Sequence, residues 1–414
     1  MIEHRHLASK RSSTTPSHPP PLTTNVTNVE HLAQASVRTV TIRPRSLPLE
    51  GGRLYFRHDL NDLPHERSMR AIQKLERGPG LTITDIPKPT CGLMDVLIRV
   101  HYAGVCGTDL HIADWDEWAQ GRLKPPVVVG HEFAGEIVEI GQDVGDAFHI
   151  GQRVTAEGHI VSGHTRQSRT GAGHVCPSTR IIGVDRDGAF ADYIAMPASN
   201  VMPLGNISTK LGAIMDPIGN AFHTVLTAEI PGSTVLVLGC GPIGCFAVGV
   251  ARAAGAARVI AADLNPRRLE LACDMGAHVC IDVTRDDVVH RVMDETHSEG
   301  VDVVCEMSGH PVAIRQGLEC ARPGGRVQLL GIPTHEVPIR LATDVIFKGL
   351  TIYGVVGRKM YETWYQMRSF IGSGLFDPTP VITHTFALEQ IDDALNAIRS
   401  GQAGKVILEI GGSA

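Results

Sequence analysis

Val235-Leu236-Val237-Leu238 runs without a break into Gly239-Cys240-Gly241-Pro242-Ile243-Gly244, and an apolar, alanine-rich stretch follows. Four aliphatic residues in a row read as a strand buried on both faces, and the stretch after the glycines reads as a buried helix. Gly-x-Gly-x-x-Gly alone is common in glycine-rich chains. Here a strand precedes it, a helix follows, and Asp263 ends the next strand-like run, Val259–Ala262. The first glycine permits the tight turn, the second lets backbone approach a pyrophosphate, and the third allows close helix–strand packing. Phosphates would meet the free N–H groups and positive dipole end of the helix. Asp263 lies 24 residues after Gly239, placed to accept hydrogen bonds from an adenosine ribose. Its charge repels a 2′-phosphate, so the spacing predicts NAD rather than NADP. Gly239, Gly241, Ile243, Gly244, Asp263 and Arg268 are the candidate cofactor-binding residues of this region.

Outward from this stretch the chain alternates strands and helices from Ala213 to about residue 350. Val301–Cys305 and Val327–Leu330 read as further strands and Pro266–Met275 as a helix, a rhythm that predicts a doubly wound parallel sheet. Upstream, Val96–Val105, Val127–Val129 and Phe133–Ile140 are short strand-like runs punctuated by Gly and Pro, which predicts a barrel-like β-rich domain. After Phe347 the pattern is mixed, with a helix expected over Leu388–Arg399 and a last strand over Val406–Ile410 that packs back on the first domain. The reading therefore divides the chain into 67–212, completed by 349–414, and 213–348. Residues 1–66 lack apolar periodicity; Ser12-Ser13-Thr14-Thr15-Pro16 and Pro19-Pro20-Pro21 are characteristic of them. They read as a disordered extension, or as an upstream start with the functional chain beginning near Met69. Glu3, Glu30 and Glu50 argue against a transit peptide.

Composition excludes several classes. Among 414 residues the formal net charge is −6, which disfavours nucleic acid as a partner. Thr234–Ala251 carries no charge over 18 residues, long enough to raise a membrane span, but its central glycines and Pro242 break it. No apolar leader is visible. Nine cysteines, an odd number spread over a long chain, suggest free thiols in a reducing compartment. The expectation is a soluble, cytoplasmic protein without membrane or nucleic-acid partners.

A denser constellation sits upstream. Cys106, Thr108 and His111 are followed by Gly130-His131-Glu132, and Asp216 comes later. One thiol, one imidazole and two carboxylates are the ligand types zinc takes in an open catalytic site. Cys106, His131, Glu132 and Asp216 are the candidate metal ligands, and the residues do not decide which carboxylate binds. Zinc would lower the pKa of a substrate alcohol and so favour hydride loss to a nicotinamide. Thr108 and His111, the candidate catalytic residues, would carry the alcohol proton outward.

Gly130-His131-Glu132 with Gly135, Gly141 and Val144 resembles the zinc signature of the medium-chain dehydrogenase/reductase (alcohol dehydrogenase) family, and the similarity extends from about Met69 to the C-terminus. The resemblance implies a GroES-like β-rich catalytic domain plus a Rossmann domain. Within the family the chain is most similar to a branch acting on the 3-hydroxyl of L-threonine. Trp115-Asp116-Glu117-Trp118, Glu157-Gly158-His159-Ile160, Asp216–Asn220, Glu306–Gly309, Phe347–Gly349 and Gly357–Trp364 carry that likeness. It implies conversion of L-threonine to 2-amino-3-oxobutanoate with reduction of NAD, and a homotetramer. It also implies that Gly331 and Ile332 pass along the nicotinamide and that His159 lies near the substrate. Trp115 is either a substrate contact or loop packing. A polyol or diol dehydrogenase of sorbitol or butanediol type is the rival enzyme, and a noncatalytic NAD-binding protein the rival of another class. The family's second, structural zinc uses four cysteines; here Ser162, Thr165, Ser168 and Cys176 stand at those positions. Hydroxyls are poor zinc ligands, so one catalytic zinc per subunit is expected. His164 and His174 are not expected to restore the second.

Overall fold

The computed structural model describes residues 68–411; the extension expected over 1–66 lies outside the described residues. Six parallel strands form one sheet in the spatial order Val279–Asp282, Arg258–Asp263, Thr234–Leu238, Val301–Glu306, Ala321–Leu329, Thr351–Gly354. In chain order that is third, second, first, fourth, fifth, sixth. The chain winds one way from Thr234–Leu238 and then reverses to Val301–Glu306, and such a reversal opens a crevice at the carboxyl ends of the two central strands. Helices Pro242–Ala253, Pro266–Asp274, Val288–Glu295 and Pro311–Cys320 supply crossovers.

The uninterrupted apolar reading of the central strands has a direct cause. Val235, Val237, Val259 and Ala261 enter one buried cluster, while Leu236, Leu238, Ile260 and Ala262 enter another. Alternate residues face opposite sides, and helices cover both. The uncharged run Thr234–Ala251 is thereby split between strand Thr234–Leu238 and helix Pro242–Ala253, and no helix among the described residues is long and apolar enough to cross a membrane. Asn265 caps the helix Pro266–Asp274 by accepting the Arg267 and Arg268 N–H groups, a device worth about 1 kcal/mol that also fixes where Arg268 begins.

The β-rich part contains a seven-stranded sheet built on Asp95–Val105, which pairs antiparallel with Glu132–Ile140, Tyr193–Pro197 and Lys405–Glu409. The C-terminal strand thus returns to the first domain, as the mixed pattern after Phe347 suggested. A three-stranded sheet has the spatial order Thr82–Pro87, Ser68–Lys74, Val127–Val128.

Three elements differ from the sequence reading. The parallel sheet takes its sixth strand, Thr351–Gly354, from beyond residue 348; this edge strand is exposed along its length, so it lacks the buried apolar run that marks its neighbours. Val279–Asp282 is a strand of only four residues, three of them half-buried, too short to declare a period. The helix expected over Leu388–Arg399 is a short turn, Leu388–Gln390, followed by the helix Ile391–Arg399. Cys273 and Cys280 are joined as a disulfide, and the other seven cysteines are free.

Candidate active site

The register of two strands assembles the centre of the site. Gly104, near the end of Asp95–Val105, pairs with Glu132 at the start of Glu132–Ile140, so the residues just past them, Cys106 and His131, meet at one end of the sheet. Gly104 leaves room for this meeting: a Cβ there would overlap the Glu132 carboxylate and displace it. Cys106 is also the N-cap of helix Gly107–Asp114, and its N–H donates to Asp109 Oδ2 at 2.8 Å. Asp109 is fully buried, and that burial raises its pKa. Its other oxygen lies 3.9 Å from His131 Nδ1.

Cys106, His131 and Glu132 bring ligand atoms within 4.8 Å of one another. Glu157, His159 and Asp216 form a second such group. Burial works against a charged His131, but Cys106, Asp109 and Asp216 outweigh it and raise the imidazole to about 10. An imidazole surrounded by anionic groups marks a place that favours a cation. His131 Nδ1 is moreover buried without a hydrogen-bond partner. A thiol, an imidazole and neighbouring carboxylates are ligand types that fit a zinc ion, with Cys106, His131 and Glu132 the group that could hold it. Each carboxylate also faces a buried cation: Lys405 Nζ stands 2.6 Å from Glu132 Oε2, and Arg358 Nη1 stands 2.8 Å from Asp216 Oδ2.

Arg358 ties the second group together. Its guanidinium, 2% exposed, donates from Nε to Glu157 Oε2 at 2.9 Å, and Trp364 Nε1 donates to the same oxygen at 2.8 Å. His159 donates its backbone N–H to Glu157 Oε1 at 2.8 Å, and its Nδ1 lies 2.9 Å from that oxygen. Two segments, 201 residues apart at Glu157 and Arg358, therefore converge on one carboxylate.

On the dinucleotide side the glycine turn behaves as its sequence requires. Gly239 has φ +91°, and a Cβ on Gly244 would overlap the Gly239 carbonyl, whereas nothing lies within 4 Å of a Cβ on Gly241. That open side faces a cavity of about 520 Å³ lined by Gly239, Gly241, Asp263, Arg268, Met307 and Ser308, among others. Asp263, 7% exposed, accepts the Cys240 N–H at 2.6 Å and the Asn265 N–H at 2.8 Å. It braces the turn while lining the cavity, and the free backbone at Gly241 fits a pyrophosphate. Ile243 is half-buried against the core. Gly331 donates to the Glu306 carbonyl and packs on Gly309, and Ile332 is 87% exposed.

Thr108 Oγ1 lies 3.7 Å from Cys106 Sγ. His111, exposed, places Nδ1 2.6 Å from Asp116 Oδ2. Trp115 is half-buried with the Lys74 ammonium 5.0 Å from its ring centre, which favours packing, while Trp118 is exposed. In the lobe, the residues at the four former cysteine positions do converge. Thr165 Oγ1 is 2.9 Å from Ser168 Oγ and 3.2 Å from Cys176 Sγ; Ser178 Oγ stands 3.2 Å from that sulfur and donates to Ser162 Oγ at 3.2 Å. Hydrogen bonds from Ser168, Ser178 and Thr165 bring the Cys176 thiol down to about 6. His174 is turned onto the His223 ring, 5.1 Å between centroids.

Sequence reasoning missed Asp109, Asp116, Glu157, Arg358 and Lys405 as functional neighbours. Lys405 and Glu132 are 273 residues apart, and Arg358 and Glu157 are 201 apart; no local spacing signals such pairs. The acid three residues after Cys106 was the one readable clue, as a capping pattern.

The comparisons agree with this geometry. Residues 92–206 match the alcohol dehydrogenase GroES-like domain, and residues 242–373 match the zinc-binding dehydrogenase domain. An L-threonine 3-dehydrogenase of Symbiobacterium thermophilum is 48% identical over 343 residues, 82% of this chain and 97% of that one. A protein described as a zinc-binding dehydrogenase, from Sinorhizobium meliloti 1021 and bound to NADP, superposes with TM-score 0.77 at 29% identity over 83% of this chain and 99% of that one. An alcohol dehydrogenase from Escherichia coli CFT073 complexed with NADH does so with TM-score 0.76 at 27% identity, over 83% and 99%. With a catalytic β-domain that converges on Cys106 and His131 and a six-stranded parallel sheet that opens at Gly239–Gly244, the chain belongs to the zinc-dependent medium-chain dehydrogenase family of alcohol dehydrogenases.

Proposed function

We propose that this chain oxidises the 3-hydroxyl of L-threonine to 2-amino-3-oxobutanoate, with hydride transfer to NAD. The observation that carries the reading is the 48% identity to an L-threonine 3-dehydrogenase over nearly that protein's whole length, with the Cys106, His131, Glu132 and Asp216 set intact. Cys106 and His131 would hold one zinc ion, with Glu132 or Asp216 as a further ligand. When bound, zinc lowers the pKa of an alcohol oxygen and favours alkoxide near neutrality. Thr108 Oγ1 and the His111 imidazole take the departing proton towards solvent. His159, on the Glu157–Arg358 network, faces the substrate. Gly239, Gly241 and Gly244 receive the pyrophosphate, Asp263 receives the adenosine ribose and selects NAD by charge, and Arg268, Ile243, Gly331 and Ile332 complete the cofactor contacts.

Further parts of the reading are proposals of the same kind. The lobe of Ser162, Thr165, Ser168 and Cys176 holds no second zinc. The catalytic domain comprises residues 67–212 and the chain after the sixth parallel strand. Four copies assemble into a homotetramer; the open edge strand Thr351–Gly354, with Ile346 and Phe347 61% and 80% exposed nearby, supports self-association. A cytoplasmic location is part of the same reading; seven of the nine cysteines are free, and the Cys273–Cys280 pair departs from the free-thiol expectation. Steady-state rates with L-threonine, sorbitol and 2,3-butanediol, each with NAD and NADP, test the assignment. A higher kcat/KM for threonine with NAD supports it; preference for a neutral diol assigns the polyol activity instead, and no turnover in zinc-loaded protein assigns a binding role.

A further inference from the structure

We infer that Asp116 is a positioning residue for His111: its carboxylate holds Nδ1 of the imidazole and leaves Nε2 to receive the proton that leaves the substrate by way of Thr108. This rests on the proton path proposed above and adds a member to it.

Two independent features place that carboxylate. The first is a doubly anchored side chain. Asp116 Oδ2 lies 2.6 Å from His111 Nδ1, while Oδ1 accepts the Ala119 N–H at 3.0 Å as N-cap of helix Glu117–Arg122. One oxygen is fixed by the helix that follows and the other by the imidazole. The second is the chain reversal between the two helices. Trp115 sits at φ 56°, ψ 46° as C-cap of Gly107–Asp114, a left-handed conformation that a bulky L-residue adopts only at a cost. Several contacts hold it there: Gln120 Nε2 donates to the Trp115 carbonyl at 2.8 Å, and the buried Lys74 ammonium lies over the indole. Lys74 in turn donates to the Gly78 and Gly80 carbonyls. The Asp116 N–H, turned back by this reversal, donates to the His111 carbonyl at 3.3 Å. Strain maintained by surrounding contacts is a mark of functional loops, and here its result is to fold Asp116 back over His111.

The other groups around the imidazole leave Asp116 as its carboxylate partner. The Trp118 ring lies 6.1 Å away. Asp114, from the last turn of the same helix, is paired with Arg399 of the C-terminal helix Ile391–Arg399. Lys74 points to Trp115. With Nδ1–H donated to Asp116, the neutral tautomer carries its lone pair on Nε2, the form a general base needs, and the carboxylate stabilises the imidazolium that follows.

Asp116→Asn tests this while keeping the helix cap, because an asparagine oxygen accepts the Ala119 N–H equally well. The assays use whichever alcohol of the threonine, sorbitol and butanediol panel the wild-type enzyme turns over, so an error in substrate assignment is scored separately. Asp116→Asn is expected to lower kcat about tenfold, part of the 10²–10⁴ a general base contributes. KM for NAD should be unchanged, so that the loss falls on kcat. Asp116→Glu should recover part of the rate, and His111→Ala/Asp116→Asn should be no slower than His111→Ala alone. Wild-type kcat in Asp116→Asn, with His111→Ala impaired, overturns the role of Asp116. A wild-type rate in His111→Ala overturns the proton path and this proposal with it.

Discussion

Arg358 Nη2 and Glu157 Oε1 meet 2.5 Å apart with both side chains at most 1% exposed. The pair joins the segment after the parallel sheet to the short strand His159–Ile160, and through Arg358 Nη1 it reaches Asp216. Removing one partner of such a pair leaves a buried charge uncompensated, which costs about 3–5 kcal/mol. Arg358→Met is therefore expected to lower the unfolding free energy in denaturant titration by about that amount. A loss indistinguishable from zero would show that the pair does not brace the site.

The same pair gives a pH dependence with a defined sign. Burial pushes the Glu157 carboxyl up, but Arg358 and His159 outweigh it and hold the carboxyl well below its ordinary value. A depressed carboxyl contributes stability that is fully present above the unfolded pKa of about 4.3 and is lost as pH falls through the folded value. Wild-type stability should decline below about pH 4, and Glu157→Gln, less stable at neutral pH, should decline less steeply. Equal slopes measured by acid titration of the unfolding midpoint would remove Glu157 from this role.

Asp263 has two tasks, bracing the glycine turn through the Cys240 N–H and lining the dinucleotide cavity. Asp263→Ala is expected to raise KM for NAD about tenfold, the equivalent of one charged hydrogen bond, and to narrow the preference for NAD over NADP. The paired KM values for the two cofactors check this. An unchanged ratio would mean that another group reads the ribose.

The zinc assignment predicts one ion per chain by elemental analysis of the purified protein. Cys106→Ser should fall well below one and lose more than the roughly 10–100-fold typical of a group that only supports a ligand. Cys176→Ser should keep the full content, because its sulfur is ringed by the hydroxyls of Thr165, Ser168 and Ser178. Two ions per wild-type chain would return a metal to the lobe.

Much of this was readable in the chain because it is local. The strand, glycine turn and helix at Val235–Gly244 carry their own periodicity, and Asp263 follows at a spacing set by one crossover. Cys106, Thr108 and His111 lie within six residues, and His131 and Glu132 are adjacent. What the sequence concealed depends on tertiary pairing. Lys405 reaches Glu132 only because the last strand returns beside Asp95–Val105, and Arg358 reaches Glu157 from a segment whose conformation follows no period. The edge strand Thr351–Gly354 was hidden for the opposite reason: exposed on both faces, it lacks the apolar signature by which its neighbours are recognised.

The central claim is that one metal ion, gripped by Cys106 and His131, makes this a threonine-oxidising, NAD-reducing enzyme. It is tested most directly by following NADH formation from L-threonine before chelation, after chelation, and after zinc is restored. The account predicts turnover, its loss, and its recovery. Equal rates in the metal-free protein would contradict it.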